Sequence, residues 1–327
     1  MAATTKLFSA GAIDFNYGAA LGGTTKQFNG IRNLRYNSQL TEVMEACGLN
    51  IDPDFLAVAE QTPAFETDFV ELDGFINPAT INGLQSAVSW GDTGDDAANK
   101  FRAQFAQFEK YKGRFSTAST KHTILTAKRG MAYLKSFRAS RRSVASGVLR
   151  ILPLWNGTDD IVTPAQDVAG LTFSAITSLF TVGPFLWNGT AVGTVTDISF
   201  DQGDEIEYAG AGGTEWPDFA AFAGRKPEFT ITCKDVPQLV VQTITGAAQS
   251  ATDSEIYLRG LERNKKRYAN ATAKHIKLVL DEGRVAIESI SAENRKSADL
   301  VLKVMPAFDG TNNIIVPTID TTIPAGE

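Results

Sequence analysis

Short alternations of apolar and polar residues run through most of the chain and set its period. Ile31, Leu34 and Tyr36 form one such run, and Val195 to Phe200 form another. Further on, Ile276, Leu278 and Leu280 alternate up to Asp281-Glu282-Gly283, beyond which Val285 and Ile287 alternate away. A period of two with a glycine-containing break predicts a hairpin there, and Lys128-Arg129-Gly130 predicts the same turn earlier in the chain. Val148, Leu149, Ile151 and Leu152, and again Val301, Leu302, Val304 and Met305, each supply a further strand. One stretch follows a different spacing. Phe101, Phe105 and Phe108 recur at i, i+4 and i+7 behind Asp95 and Asp96, which predicts a capped helix with its rings on one buried stripe. Thr252 and Glu255 have capping-box spacing ahead of Leu258 and Leu261, which predicts a second helix.

The two sets of elements belong to a repeat. Lys121 to Thr158 recurs without a gap as Lys274 to Thr311, with Lys121, His122, Leu125, Gly130, Ser136, Ala139, Arg142, Ala145, Leu149, Pro153, Gly157 and Thr158 meeting identical residues. Usage frequencies would give roughly two such matches by chance. Upstream, Asp52 to Ala59 faces Trp216 to Ala223, Pro63 and Phe65 face Pro227 and Phe229, and Leu34 and Tyr36 face Ile198 and Phe200. With some slippage, Phe8-Ser9-Ala10 faces Phe173-Ser174-Ala175 and Phe15 faces Phe180; downstream, Ile161, Pro164 and Asp167 face Ile314, Pro317 and Asp320.

The expected fold is therefore mainly β with α, an α+β chain of two tandem homologous β-sandwich or barrel domains, each with one flanking helix. The first domain spans 1–167 and the second 168–327. A long connection precedes the second strand of each copy, through Cys47 and Pro53 in one and Gly210 to Pro217 in the other; its length marks it as either functional or disordered, and the Pro-Asp-Phe kept in both copies points to a shared docking task. Val168 to Trp187 is uncharged over a membrane-spanning length but diluted by Thr, Ser, Gly and Pro, so it reads as a linker into a buried strand. The first twelve residues read as a flexible arm without the apolar run of a secretory signal. The segment after Thr311 reads as an extended arm able to pair with another sheet edge.

Composition adds a division of charge. Of 327 residues 43% are apolar, enough for a core in each copy, and the formal net charge is −6. Residues 1–167 hold 17 basic and 17 acidic side chains, so the whole excess sits in the second copy. An acidic balance argues against a non-specific grip on a nucleic-acid backbone. The only cysteines, Cys47 and Cys233, are not equivalent in the repeat, which argues against a disulfide framework.

Candidate chemistry is sparse. His122 and His275 are the only histidines and occupy equivalent positions, yet no nearby Cys, His or acidic pair completes a metal set or a nucleophilic triad, so both read as strand-end structural residues. The acidic runs 92–96 and 201–205 lack calcium-loop spacing, and the glycines match no nucleotide fingerprint. No cofactor, metal or catalytic residue is expected. The basic cluster around Arg138, Arg141 and Arg142 is largely lost or reversed in the second copy, where Asp281 and Glu282 replace Lys128 and Arg129. Basic and acidic loops of this kind can pair between copies or subunits and set which touches which.

A duplicated, chemically empty domain can supply two successive positions of a closed ring. The order strand, long loop, strand, helix, hairpin, strand, with the doubled segments DPDFLAVAEQTPAF and WPDFAAFAGRKPEF, resembles the major tail tube proteins of long-tailed bacteriophages, in particular those with two tube domains per chain. The resemblance implies a non-enzymatic virion protein in which three chains form a pseudo-sixfold ring, and rings stack into a tube through which DNA is ejected. It places the stacking contacts on Pro53, Asp54, Phe55, Pro217, Asp218 and Phe219. It further implies an acidic bore that DNA traverses without specific binding, and contacts with other copies of the chain and with tape measure, terminator and tail-tip proteins. No membrane partner is implied, and the chain would pass through the host cytoplasm before joining the tail. Another virion part, such as a capsid or head-to-tail component, and a two-domain binding module or hydrolase are the alternatives.

Overall fold

The chain is seen in a computed structural model that describes residues 6–16, 25–28, 30–45, 55–76, 84, 87–91, 100–109, 111–172, 175–210, 214–234, 249–250, 253–262, 266–294, 298–311 and 313–324. Its strands begin with β1 (Phe8–Asn16), β2 (Thr25–Phe28), β3 (Ile31–Asn37), β4 (Leu40–Glu45), β5 (Phe55–Gln61) and β6 (Ala64–Phe69). A single helical turn α1 (Asp73–Ile76) precedes β7 (Val88–Trp90), β8 (Lys100–Gln107), β9 (His122–Ala127), β10 (Arg129–Ser140), β11 (Ser143–Leu154) and β12 (Thr163–Val168). The second copy opens with β13 (Leu179–Trp187), β14 (Thr190–Ala191), β15 (Thr194–Asp201), β16 (Asp204–Gly210), β17 (Pro217–Arg225) and β18 (Glu228–Lys234). It ends with β19 (Gln249–Ser250), β20 (Ser254–Leu261), β21 (His275–Leu280), β22 (Gly283–Ser291), β23 (Asp299–Pro306) and β24 (Val316–Thr321).

Pairing registers show the duplication more fully than residue identity does. Leu134 faces Leu149 with an irregularity before Ser136, and Ile287 faces Leu302 with the same irregularity before Ser289. Tyr36 faces Phe65 as Phe200 faces Phe229, and the bulge after Ile31 recurs after Val195. The long connection is itself a hairpin in both copies, Leu40 facing Gln61 as Asp204 faces Arg225. Even the rare positive φ angles recur, Asp167 with Asp320 and Gly157 with Gly310.

The helical expectation fails in both copies, where the segments are strands β8 and β20. A spacing of four is one helical turn but also two strand repeats, so Phe101 and Phe105 fit either period. Ala103 between them is buried, and strand neighbours rather than a helix face cover it. Asp95, Asp96 and Thr252, the expected caps, lie outside the described residues. The hairpins expected at Gly130 and Gly283 are also corrected: β9 and β10 share no ladder, nor do β21 and β22, because the chain crosses between sheets at those points. Glycine is needed there for close approach. A Cβ on Gly130 would lie 2.5 Å from the Leu152 oxygen, and one on Gly283 would lie 2.7 Å from the equivalent Met305 oxygen.

Three further expectations change. Residues 8–12, read as part of a flexible arm, instead open β1, which pairs with β8 from Phe8 onward and buries Ala12. Phe15 is matched by Trp187 and not by Phe180, because Gly11 and Gly183 are equivalent, each pressed against a β8 or β20 carbonyl (Gln104 and Tyr257) beside a bulge. Phe173 and Ser174 lie outside the described residues. The segment after Thr311 is extended and pairs with a sheet edge, but the edge is that of its own copy, β24 pairing with β21 as β12 pairs with β9.

Two five-stranded sheets, β12-β9-β8-β1-β2 and β14-β13-β20-β21-β24, belong to one copy each. The third sheet is shared and ten-stranded, running β19-β22-β23-β18-β15-β10-β11-β6-β3 with β7 beside β10. One continuous apolar core lies between the layers, from Phe15, Phe69 and Phe101 in the first copy to Phe229, Leu278 and Leu302 in the second. Gly130→Ala and Gly283→Ala are expected to cost about 1–3 kcal/mol each by overpacking, read as a lowered urea midpoint; a neutral result at both would refute the close-approach account.

Candidate functional site

The shared sheet exists because β15 of the second copy pairs with β10 of the first. Ser136 faces Asp201, Phe137 faces Phe200 and Arg138 faces Ser199. Beyond the strand ends, the Arg141 amide donates to the Thr196 oxygen at 2.9 Å and the Gln202 amide to the Lys135 oxygen at 2.9 Å. Phe137 and Phe200 stack at 5.3 Å between centroids, with Phe229 4.8 Å from Phe200, so an aromatic trio from both copies seals the core side. On the opposite face Arg138 holds Asp197 through two 3.1 Å hydrogen bonds. Thr181 Oγ1 donates to the Ser140 oxygen at 2.7 Å, and Arg267 donates to the Arg141 oxygen at 3.0 Å.

A second contact reinforces the ladder. The hairpin β16–β17 lies over the face of β10 and β11 turned away from the main core, where Ile206, Tyr208, Ala220 and Phe222 cover Ala64, Met131, Tyr133 and Leu152. Phe222 meets Tyr133 edge-on at 5.1 Å. The Tyr133 hydroxyl donates to Asp204, and Arg150 stands 3.8 Å from the same carboxylate. Burial and the Asp204 hydrogen bond push the Tyr133 phenol far above its ordinary value, so it stays a donor at every physiological pH. Near its tip the hairpin accepts the Trp155 amide at the Pro217 oxygen (2.8 Å), and the Trp216 indole donates to Gln61 Oε1 (3.1 Å).

This joint is head to tail. The edge used by the second copy is β15, the counterpart of β3, and the edge used by the first is β10, the counterpart of β22. Among the described residues the chain therefore keeps one unpaired edge of each kind, β3 and the part of β22 around Ile290; β19 takes only Arg284 and Val285, as β7 takes Gly130 to Ala132 of β10. Their side chains show it: Tyr36 and Ile290 are 39% and 50% exposed, whereas Phe200 and Phe137 at the equivalent places are each 2% exposed.

The residues singled out from the sequence fall as follows. Pro53 and Asp54 lie outside the described residues, and Phe55 begins β5. Pro217 is buried at the joint, Asp218 is half-buried and Phe219 is exposed. Arg138 does join the copies, but through Asp197. Among the described contacts none connects Arg138, Arg141 or Arg142 to Asp281 or Glu282, which sit where the chain crosses from β21 to β22. Sequence reasoning missed Asp197, Phe137 and Phe200; the last of these was visible only as a strand residue, because partners across a ladder leave no spacing signal.

The two histidines close equivalent loops. His122 Nε2 lies 2.9 Å from the Ser116 oxygen and His275 Nε2 lies 3.1 Å from the Ala269 oxygen. In the second copy the Gly260 amide donates to His275 Nδ1 at 3.0 Å, which fixes the neutral tautomer with its proton on Nε2. Cys233 is buried, and burial pushes its thiol up to about 12. Among the described residues no group of three or more His, Cys, Asp or Glu is placed to hold a metal ion.

Phe137→Ala is expected to cost about 3–5 kcal/mol, against under about 1 kcal/mol for Arg138→Ala at an exposed pair, both by urea unfolding; the reverse order would show that charge, not packing, holds the joint. Burial lowers the His275 pKa below its usual 6.5, so the folded chain loses stability relative to the unfolded one as pH falls from 6.5 towards the lowered value. Unfolding of His275→Gln from pH 8 to pH 5 is expected to show a weaker loss than the parent, and equal loss would remove the assignment. No family model matches the chain, and no curated protein shows significant similarity to it.

Proposed function

We propose that the chain is a structural subunit whose copies join edge to edge into a closed ring, with rings stacked into the tube of a long-tailed bacteriophage. The observation that carries this is the internal joint. A contact between β15 and β10 that uses unlike edges repeats by rotation and generates either a ring or an open helix. Among the described residues each chain retains the same two kinds of edge, β3 at one end of its shared sheet and, at the other, the part of β22 around Ile290, beyond Arg284 and Val285, which pair with the two-residue β19. Placing the internal register on them sets Tyr36 opposite Ile290, and pairing buries both of these exposed side chains.

Three chains joined this way present six copies. Each copy contributes a block of the kind β22-β23-β18-β15 to the common sheet, giving a barrel of about 24 strands. At about 4.8 Å between strands the wall would measure roughly 115 Å around and about 37 Å across its backbone, more with strand tilt. Where the hairpins do not overlie that wall, such a bore admits a nucleic-acid duplex. The discontinuous five-stranded sheets suit the outside, where the circumference is larger and gaps between units cost no hydrogen bonds. The shared sheet's face opposite the core carries charges already paired across strands, Lys135 with Glu66, Arg138 with Asp197, Lys234 with Asp299 and Lys303 with Glu228. A wall of mutually paired charges holds a passing polyanion weakly, which refines the expectation of a simply acidic bore. The chain acts without a catalytic site or cofactor, and its partners are its own copies and the proteins at the two ends of the tube.

Negatively stained protein is expected to show rings of uniform bore, with native mass spectrometry giving three chains per ring. Tyr36→Glu with Ile290→Glu, which sets like charges opposite each other at an exposed edge, is expected to abolish rings and leave folded monomers. Tyr36→Glu with Ile290→Lys is expected to restore them. Rings that persist in the doubly acidic variant would overturn the reading.

A further inference from the structure

The internal joint has two parts, a ladder and a hairpin, and the second part also has an unused counterpart. Hairpin β4–β5 has the pairing of β16–β17, with Glu42 facing Val58 as Ile206 faces Phe222. Where β16–β17 covers a neighbour, β4 is exposed along its length, and Leu40, Met44, Leu56 and Val58 are all exposed. Apolar side chains concentrated on a two-stranded ribbon call for a covering surface.

The complementary surface is on the second copy. Repeat equivalence puts Ala286 where Tyr133 stands, Met305 where Leu152 stands and Phe308 where Trp155 stands. Ala286 and Met305 are half-buried, and Phe308 is exposed, although its counterpart Trp155 lies against Trp216 of the covering hairpin. The two surfaces also differ from the internal joint in step. Tyr133 donates to Asp204 inside the chain, whereas the free surfaces carry Ala286 and Leu40, so the polar pair is replaced on both sides at once. Neither free surface would leave a buried hydroxyl or carboxylate without a partner. The hairpin bears Glu42 at the place of Ile206, and the receiving strand bears Arg284 at the place of Met131, opposite signs that favour this pairing.

We infer that hairpin β4–β5 clamps over β22 and β23 of the next copy of the same chain, seating Met44, Leu56 and Val58 on Ala286, Met305 and Phe308. The ring reading is its premise, and the hairpin then secures neighbours within a ring. Two exchanged contacts, ladder and clamp, make each junction harder to open than either alone, since the second forms intramolecularly once the first is in place.

The test uses full-length chain carrying Cys47→Ser. Val58→Cys with Ala286→Cys, treated with a short bismaleimide under assembly conditions, is expected to give a ladder of covalent oligomers on a denaturing gel. Tyr36→Cys with Ile290→Cys probes the edge ladder separately. Oligomers from the edge pair without any from the hairpin pair would overturn the clamp and leave the ring standing; none from either would overturn both. Met44→Asp with Val58→Asp is expected to raise the protein concentration needed for ring formation by about tenfold or more, while the melting temperature of the unassembled chain stays unchanged because both positions are exposed there. Unchanged assembly in that variant would likewise refute the clamp.

Discussion

The ladder between β10 and β15 is the constraint on which the architecture rests. Without it the molecule would be two sandwiches on a tether, each with two open sheet edges. With it, one sheet passes through both copies, and the core continues from one to the other without a polar boundary. Open edges are templates for further pairing, and among the described residues the chain buries one edge of each kind internally and leaves β3 and the Ile290 end of β22 unpaired.

The energy of that ladder comes from its two faces in unequal measure. On the core side Phe137, Phe200 and Phe229 exclude water from a contact made by residues distant in sequence. On the other side Arg138 and Asp197 are solvated, so their pairing fixes register more than it adds stability. The hairpin over Tyr133 adds a second apolar contact and one fully satisfied polar group, the phenol held by Asp204. A joint assembled from separate small contacts tolerates divergence, which is why the two copies can differ in charge yet keep the same pairings.

Drift in sequence against constancy in pairing also explains what was hard to read. His122 and His275, Gly130 and Gly283, and Leu149 and Leu302 remained recognisable because each meets a demand that few residues satisfy: a ring nitrogen reaching a carbonyl, a missing Cβ, a filled core position. Phe15 and Trp187 did not, since any large apolar side chain fills that place and alternation looks the same at every even shift. The phenylalanines of β8 misled for a related reason, because a spacing of four belongs to both periods. The crossings at Gly130 and Gly283 resembled hairpin turns because a glycine between two alternating runs carries no mark of which sheet the next run will join.

By itself the sequence determined that the chain is mostly alternating strand and that one unit is written twice. Periodicity and residue identity are local or self-comparative quantities, so a single sequence contains them. Tertiary structure alone decided that the two units share one sheet, that unlike edges meet, and that Tyr36 and Ile290 are left uncovered where Phe200 and Phe137 are not. Those facts depend on which distant strands exchange backbone hydrogen bonds, and backbone groups are the same in every residue but proline, so the partner of an edge is chosen by packing in three dimensions and not by any spacing along the chain.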